Sequence, residues 1–157
     1  MNPSSEVPRT SRREARLLSA LFWALLATFA LVLGPIFIPF LEPLRGTGFL
    51  PLLGACFVLG LALLVVSIRA KYVGAVRKFL ILTGASSVGL GASSVLHNVF
   101  YGLATLTEDW AILKSVLTGL EVAFFFIATI VCPLAFLAGV VGTIVHLIGR
   151  RRSRGTA

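Results

Sequence analysis

Few residues in this chain could carry chemistry, and they cluster. His97, Asn98 and Tyr101 fall within one stretch, Leu96-His97-Asn98-Val99-Phe100-Tyr101-Gly102, and Glu121 follows some way downstream. On a helix His97 and Tyr101 share a face, being four positions apart. If the segments carrying His97 and Glu121 run antiparallel, imidazole and carboxylate arrive at a similar depth. An ionisable side chain at the centre of a bilayer costs about 2.5–3.5 kcal/mol on insertion scales, so such groups find partners or mark proton and ion routes. His97, Asn98, Tyr101 and Glu121 are therefore the candidate polar cluster, with a His97–Glu121 pair at its heart. The competing expectation is structural: His97 bonds a backbone carbonyl and Glu121 reaches to the headgroups.

Other chemistries find no support in the residue pattern. His146 precedes Arg150, Arg151 and Arg152 and reads as a helix-end or headgroup-facing residue. A haem held by both histidines would need them at one depth, whereas they fall near opposite leaflets. Cys56 and Cys132 lack the Cys-x-x-Cys spacing of membrane thiol oxidoreductases and should differ in depth by about 10 Å, too far for a bridge. Both read as small packing residues. Ser86, Ser87, Ser93 and Ser94 are accounted for as packing hydroxyls rather than nucleophiles. Metal clusters, catalytic triads, phosphate loops and nucleotide fingerprints are absent, so the expectation is no enzyme, no metal and no cofactor.

The elements that must position these residues are four long apolar runs: Leu17–Leu41, Gly46–Ile68, Phe79–Thr107 and Val122–Gly149. Each exceeds the roughly 20 residues that a helix needs to cross about 30 Å of hydrocarbon. The chain is 57% hydrophobic and 13% charged, with mean hydropathy +0.98, far from the composition of a water-soluble domain. The expected fold is an all-α membrane protein, a four-transmembrane-helix bundle with spans at about 17–41, 48–68, 79–104 and 120–148. Residues 1–16 are expected to be a disordered basic tail and 150–157 a second basic tail. Four spans use nearly the whole chain and leave no soluble catalytic domain.

The net charge of +8 does not point to nucleic acid, because the bases sit at the ends of apolar runs without interleaved aromatics. They point to orientation instead. Arg9, Arg12, Arg13 and Arg16 precede the first run; Arg69, Lys71, Arg77 and Lys78 separate the second and third; Arg150, Arg151, Arg152 and Arg154 follow the fourth. The other two connections carry one base each, Arg45 and Lys114, among Glu42, Glu108, Asp109 and Glu121. The positive-inside rule then places both termini and the middle loop in the cytoplasm, and an even number of spans agrees. Ser11-Arg12-Arg13 resembles the start of a twin-arginine signal, but Ala15-Arg16 replaces the apolar pair and no Ala-x-Ala cleavage site follows. The first run therefore reads as an uncleaved span. No lipidation motif is present at either end. The preference for Arg over Lys hints at a G+C-rich prokaryote.

Packing signals are richer than chemical ones. In the third run Gly84-Ala85-Ser86-Ser87-Val88 returns one heptad later as Gly91-Ala92-Ser93-Ser94-Val95. Gly84, Ser87, Gly91, Ser94 and Asn98 form one stripe, and Ala85, Gly89 and Ser93 a second. Small residues let backbones approach closely, which is how helices associate in lipid. Two small seams predict that the third span is the central helix. The fourth run presents Cys132, Ala135, Gly139, Gly142 and Thr143 on one face. The first run is bulky, with Gly34-Pro35 and Pro39 expected to kink its outer end and Trp23 expected as an interfacial anchor. The second run is expected to face mostly lipid, Leu64 included. Between spans three and four, Thr107 is the expected N-cap of a short interfacial helix over 108–119 that bends near Gly119 into the fourth span. The alternative is a helix projecting beyond the membrane.

The functional expectation is a small multi-pass protein of the cell membrane, without catalytic chemistry, acting in interaction or assembly or as an accessory protein. Its expected partners are the bilayer and a membrane-protein partner or further copies of itself, not nucleic acid. The alternative is a small oligomeric transporter or channel that uses the polar cluster near the outer leaflet. No similarity relates the first two spans to the last two, so an inverted-repeat transporter has no support.

Overall fold

A computed structural model describes residues 12–37, 48–70, 74–107 and 109–155 of the chain. It is helical throughout, with no strand among the described residues. Helix α1 runs Arg12–Phe37, α2 Phe49–Arg69, α3 Ala75–Leu106 and α4 Ala111–Phe126; a π-helical turn, Ile127–Val131, leads into α5, Cys132–Gly155. Four helical segments are long and apolar enough to cross a membrane, α4 and α5 together forming the fourth.

Helices α1 and α2 each bury a stripe repeating every three or four residues: Leu18, Phe22, Leu25, Phe29 and Val32 on α1, and Leu53, Cys56, Gly60, Leu63 and Ser67 on α2. That spacing keeps one narrow face against a neighbour along the length of a helix, and it leaves most of the apolar surface facing outward. Most of α2 is indeed outward-facing, but Leu64 is half-buried and its backbone N would lie 2.9 Å from a Cβ added at Gly84. Leu64 therefore faces α3 rather than lipid. The reason is Gly60: a helix that brings a glycine into contact brings the residue one turn on with it.

Helix α3 is the hub, touching α2 on one side and α4, the π-helical turn and α5 on the other. A Cβ at Gly84 would lie 2.9 Å from the Gly60 carbonyl, and one at Gly60 2.6 Å from Ser87 Cβ. The α2–α3 seam is thus backbone against backbone. On the opposite side a Cβ at Gly139 would lie 2.9 Å from Thr83 N and 3.0 Å from Phe79 O. The second seam differs in one residue from the sequence expectation. Ser86 and Ser93 are buried there and Gly89 faces Cys132 Sγ, but Ala85 is exposed. Helix α1 packs on α2 and reaches α5 through Phe29, whose ring stacks on that of the fully buried Phe136 at 3.7 Å and 9°.

Local chemistry explains the helix ends and the π-helical turn. Arg77, in the first turn of α3, donates from Nε to Ser67 O (3.2 Å) and from Nη2 to Ile68 O (2.9 Å). It satisfies carbonyls that the end of α2 leaves free. Gly74 turns the chain at φ 107°, a conformation that only glycine adopts without strain. Thr107 is not the N-cap of the next helix. Its Oγ1 donates back to Leu103 O at 3.0 Å, closing α3, and Trp110 occupies the N-cap position of α4.

Helix α4 passes through Gly119 without a break; the irregular turn comes later, at Ile127–Val131, just before Pro133. Proline has no N–H and its ring crowds the carbonyl four residues back, here that of Thr129. A widened turn, with Cys132 N–H donating to Ile127 O, relieves that crowding. Thr129 Oγ1 bonds Phe125 O at 2.7 Å within the same stretch.

Helix α1 begins at Arg12, within the segment expected to be a tail, and continues through Gly34-Pro35 to Phe37. Likewise α5 carries the arginines from 150 as far as Gly155. Residues 1–11 of the expected N-terminal tail, Pro39, Glu42, Arg45, Lys71 and Glu108 lie outside the described residues.

Candidate functional site

The polar pair forms where α3 and α4 leave the packed body of the bundle. His97 Nδ1 lies 3.2 Å from the backbone oxygen of Glu121 and 3.9 Å from its carboxylate Oε1. A carbonyl can only accept, so in this contact Nδ1 is the donor. His97 thus bonds a backbone carbonyl, and the carboxylate of that same residue lies within ion-pair distance. The two side chains are 28% and 20% exposed, neither sealed in the core nor free in solvent. Aromatic rings frame them, with Phe125 tilted at 5.4 Å from the imidazole and Phe100 stacked on Phe124 at 5.5 Å.

The other two members of the cluster go elsewhere. Asn98 donates from Nδ2 to Ser94 O on its own helix at 2.7 Å and lies at the outer end of the α2–α3 interface, near Phe49 and Leu50. Tyr101 is exposed. Adjacent helix positions diverge by about 100°, so His97 and Asn98 face different neighbours.

Depth follows from a second contact. Phe79 meets His146 at 5.3 Å near the other end of the α3–α5 pair, and His146 Nδ1 also bonds Gly142 O. Phe79 and His97 are separated by about 27 Å of helix rise, close to the thickness of a bilayer core. The two histidines therefore stand toward opposite ends of the bundle, a distance comparable to that thickness apart. Beyond His97 and Glu121 the α3–α4 hairpin continues, its side chains largely exposed: Leu106, Trp110 and Ile112 are 82%, 71% and 84% accessible.

The packing residues divide between partners. Gly84, Ser87 and Gly91 meet α2, where Gly91 abuts Phe57; Gly139 meets α3; Ala135 is half-buried. Ser94 donates to Leu90 O at 2.8 Å. One polar link was not anticipated. Ser87 Oγ donates to Cys56 O at 2.8 Å and lies 3.0 Å from Cys56 Sγ. The hydroxyl has a single proton, so the thiol donates back to it, and the two residues exchange hydrogen bonds across the α2–α3 seam. Their individual sequence signals, a lone cysteine and a serine in a small-residue stripe, carry no hint of the pairing.

Among the described residues no three His, Cys, Asp or Glu side chains come together as a metal site. Comparison with protein-family models, curated proteins and solved structures finds no match for this chain.

Proposed function

We propose that this chain is a small multi-pass protein of the cell membrane, with both termini cytoplasmic, that acts through assembly with itself or with other membrane proteins rather than by catalysis. The observation that supports this best is how four of the interior hydroxyls are used. Thr83, Ser86 and Thr143 each donate to the carbonyl four residues back, and Ser87 donates to Cys56 O. Hydroxyls engaged in this way serve packing and line no hydrated path through one protomer. The charge asymmetry of the connections supports the orientation. The exposed hairpin of α3 and α4, with Trp110 and Ile112, then lies at the outer headgroups or beyond, where a partner or the interface covers it. Two measurements test this reading. Cysteines placed singly at Ser5, Thr47 and Gly74, in a background without Cys56 and Cys132, should react with an impermeant external reagent only at Thr47. Proteoliposomes should pass no more ions or protons than empty vesicles.

A second reading rests on the His97–Glu121 contact: an oligomeric transporter in which the pair takes up a proton or cation at the outer leaflet. Flux in proteoliposomes that disappears with Glu121→Gln would establish it and displace the first.

A further inference from the structure

We propose that the outward-facing groove between α2 and α3 is a binding site for a phospholipid acyl chain, with Asn98 at the glycerol-ester end. The inference rests on the membrane reading above and goes beyond it by assigning one face to one ligand. The groove has a volume of about 740 Å³ and is walled by Leu50, Leu53, Gly54 and Phe57 of α2 and by Ala92 and Val95 of α3. That volume is within the usual range of small-molecule sites. It exists because the wall residues alternate in size: Gly54 and Ala92 remove bulk while Leu50 and Val95 stand up on either side, and the Gly91–Phe57 contact closes the inner end.

Its position selects the occupant. The α3 wall, Gly91–Leu96, occupies the two turns just inward of His97, within the outer half of the hydrocarbon slab, where the surrounding medium is acyl chain. A gap there forfeits dispersion contacts that a chain lying in the groove restores. Its polarity selects the orientation. The lining is apolar until the outer end, where the groove continues into a smaller recess bordered by Phe49, Ser94 and Asn98. Asn98 uses one N–H on Ser94 O and is exposed, so its amide retains an acceptor and a second donor for an ester or headgroup. An amphiphile is apolar along its length and polar at one end, which is the pattern of this groove.

Photolabelling in nanodiscs containing a phospholipid with a diazirine in its acyl chain tests the assignment. Label should concentrate on peptides covering Leu50–Val58 and Gly91–Leu96, about tenfold above the exposed faces of α1 and α5, the ratio of a 1.4 kcal/mol preference. Gly54→Phe should remove that excess and Gly119→Phe should not. A Cβ at either glycine meets nothing within 4 Å, and detergent melting of both variants checks that the fold is kept before labelling is compared. Labelling spread evenly over all outward apolar faces would overturn the groove site while leaving the membrane reading intact. Loss of a dimer in Gly54→Phe without groove labelling would assign the face to a second copy and overturn the proposal as well. No labelling anywhere would remove the membrane reading itself.

Discussion

The α2–α3 seam and the outer end of the α3–α4 pair are built on opposite principles. At the seam, Gly60 and Gly84 bring two backbones into contact, and the polar atoms present, Cys56 and Ser87, satisfy one another. At the outer end the contacts are between larger side chains: Phe100 stacks on Phe124, Phe125 lies against the imidazole of His97, and that imidazole stands within ion-pair distance of the Glu121 carboxylate. Small side chains leave no room for chemistry and give rigidity. Larger side chains meet through their rings and leave the ionisable pair partly exposed. Close backbone packing and partly exposed ionisable groups are thus separated along one helix, α3.

Substitutions should separate the two regions by size of effect. Gly84→Leu should be the most damaging, because the atoms it meets are the Gly60 carbonyl and the Leu64 amide, which cannot rotate away. Overpacking of this kind costs about 3 kcal/mol or more, read as loss of the folded species in detergent melting. Gly91→Leu should cost less, since Phe57 is a side chain that can turn aside. If the two variants melted alike, the contrast between backbone and side-chain contact would fail.

At the outer end His97→Leu and Glu121→Leu should not add. His97→Leu takes the imidazole from the Glu121 carboxylate, and Glu121→Leu takes the carboxylate from an imidazole that keeps its backbone carbonyl, so the double variant should be more stable than the sum of the singles predicts, by about 1 kcal/mol or less. A thermal cycle in nanodiscs at fixed pH and salt measures this, and a coupling near zero would reduce the pair to two independent headgroup-facing residues. Ser87→Ala should cost about 0.6 kcal/mol, the typical strength of an interhelical hydrogen bond in a bilayer. Leu61→Phe, on the outward face of α2, should change the melting temperature least, by the equivalent of about 0.5 kcal/mol or less.

Much of this architecture is legible in the sequence. The four apolar runs announce the four spans, and the heptad duplication of small residues announces that α3 has close neighbours on two sides. The approach of His97 to Glu121 follows from antiparallel helices of known rise. What is not legible is which residues of a uniformly apolar helix turn inward. Leu25 and Phe29 differ in no obvious way from Leu26 and Leu31, so neither the α1 stripe nor the Phe29–Phe136 stack carries a pattern. Gly54 and Gly60 both lie within α2, and the sequence does not say that Gly60 is the one that meets α3; without that contact Leu64 reads as a lipid-facing residue. The irregular turn was signalled by Pro133 rather than Gly119: glycine permits a bend, whereas proline removes a donor and forces an adjustment. Asn98 belongs to the candidate cluster by proximity in sequence, which on a helix places neighbours on different faces, whereas Tyr101 shares the face of His97 but lies one turn on, where it is exposed.

The central claim is that α2 lies against α3 in the register that sets Cys56 beside Ser87. Ser87→Cys tests it with a single substitution, since the native thiol is already there and the two side-chain atoms stand 3.0 Å apart, near enough to close to the roughly 2.05 Å of an S–S bond. The account predicts that mild oxidation of this variant in membranes forms an intramolecular bridge with Cys56, seen as protection of both thiols from alkylation, whereas Val95→Cys, which points outward, forms none. Ser87→Cys remaining fully reduced while Val95→Cys bridges to Cys56 would contradict the register and the hub role of α3 with it.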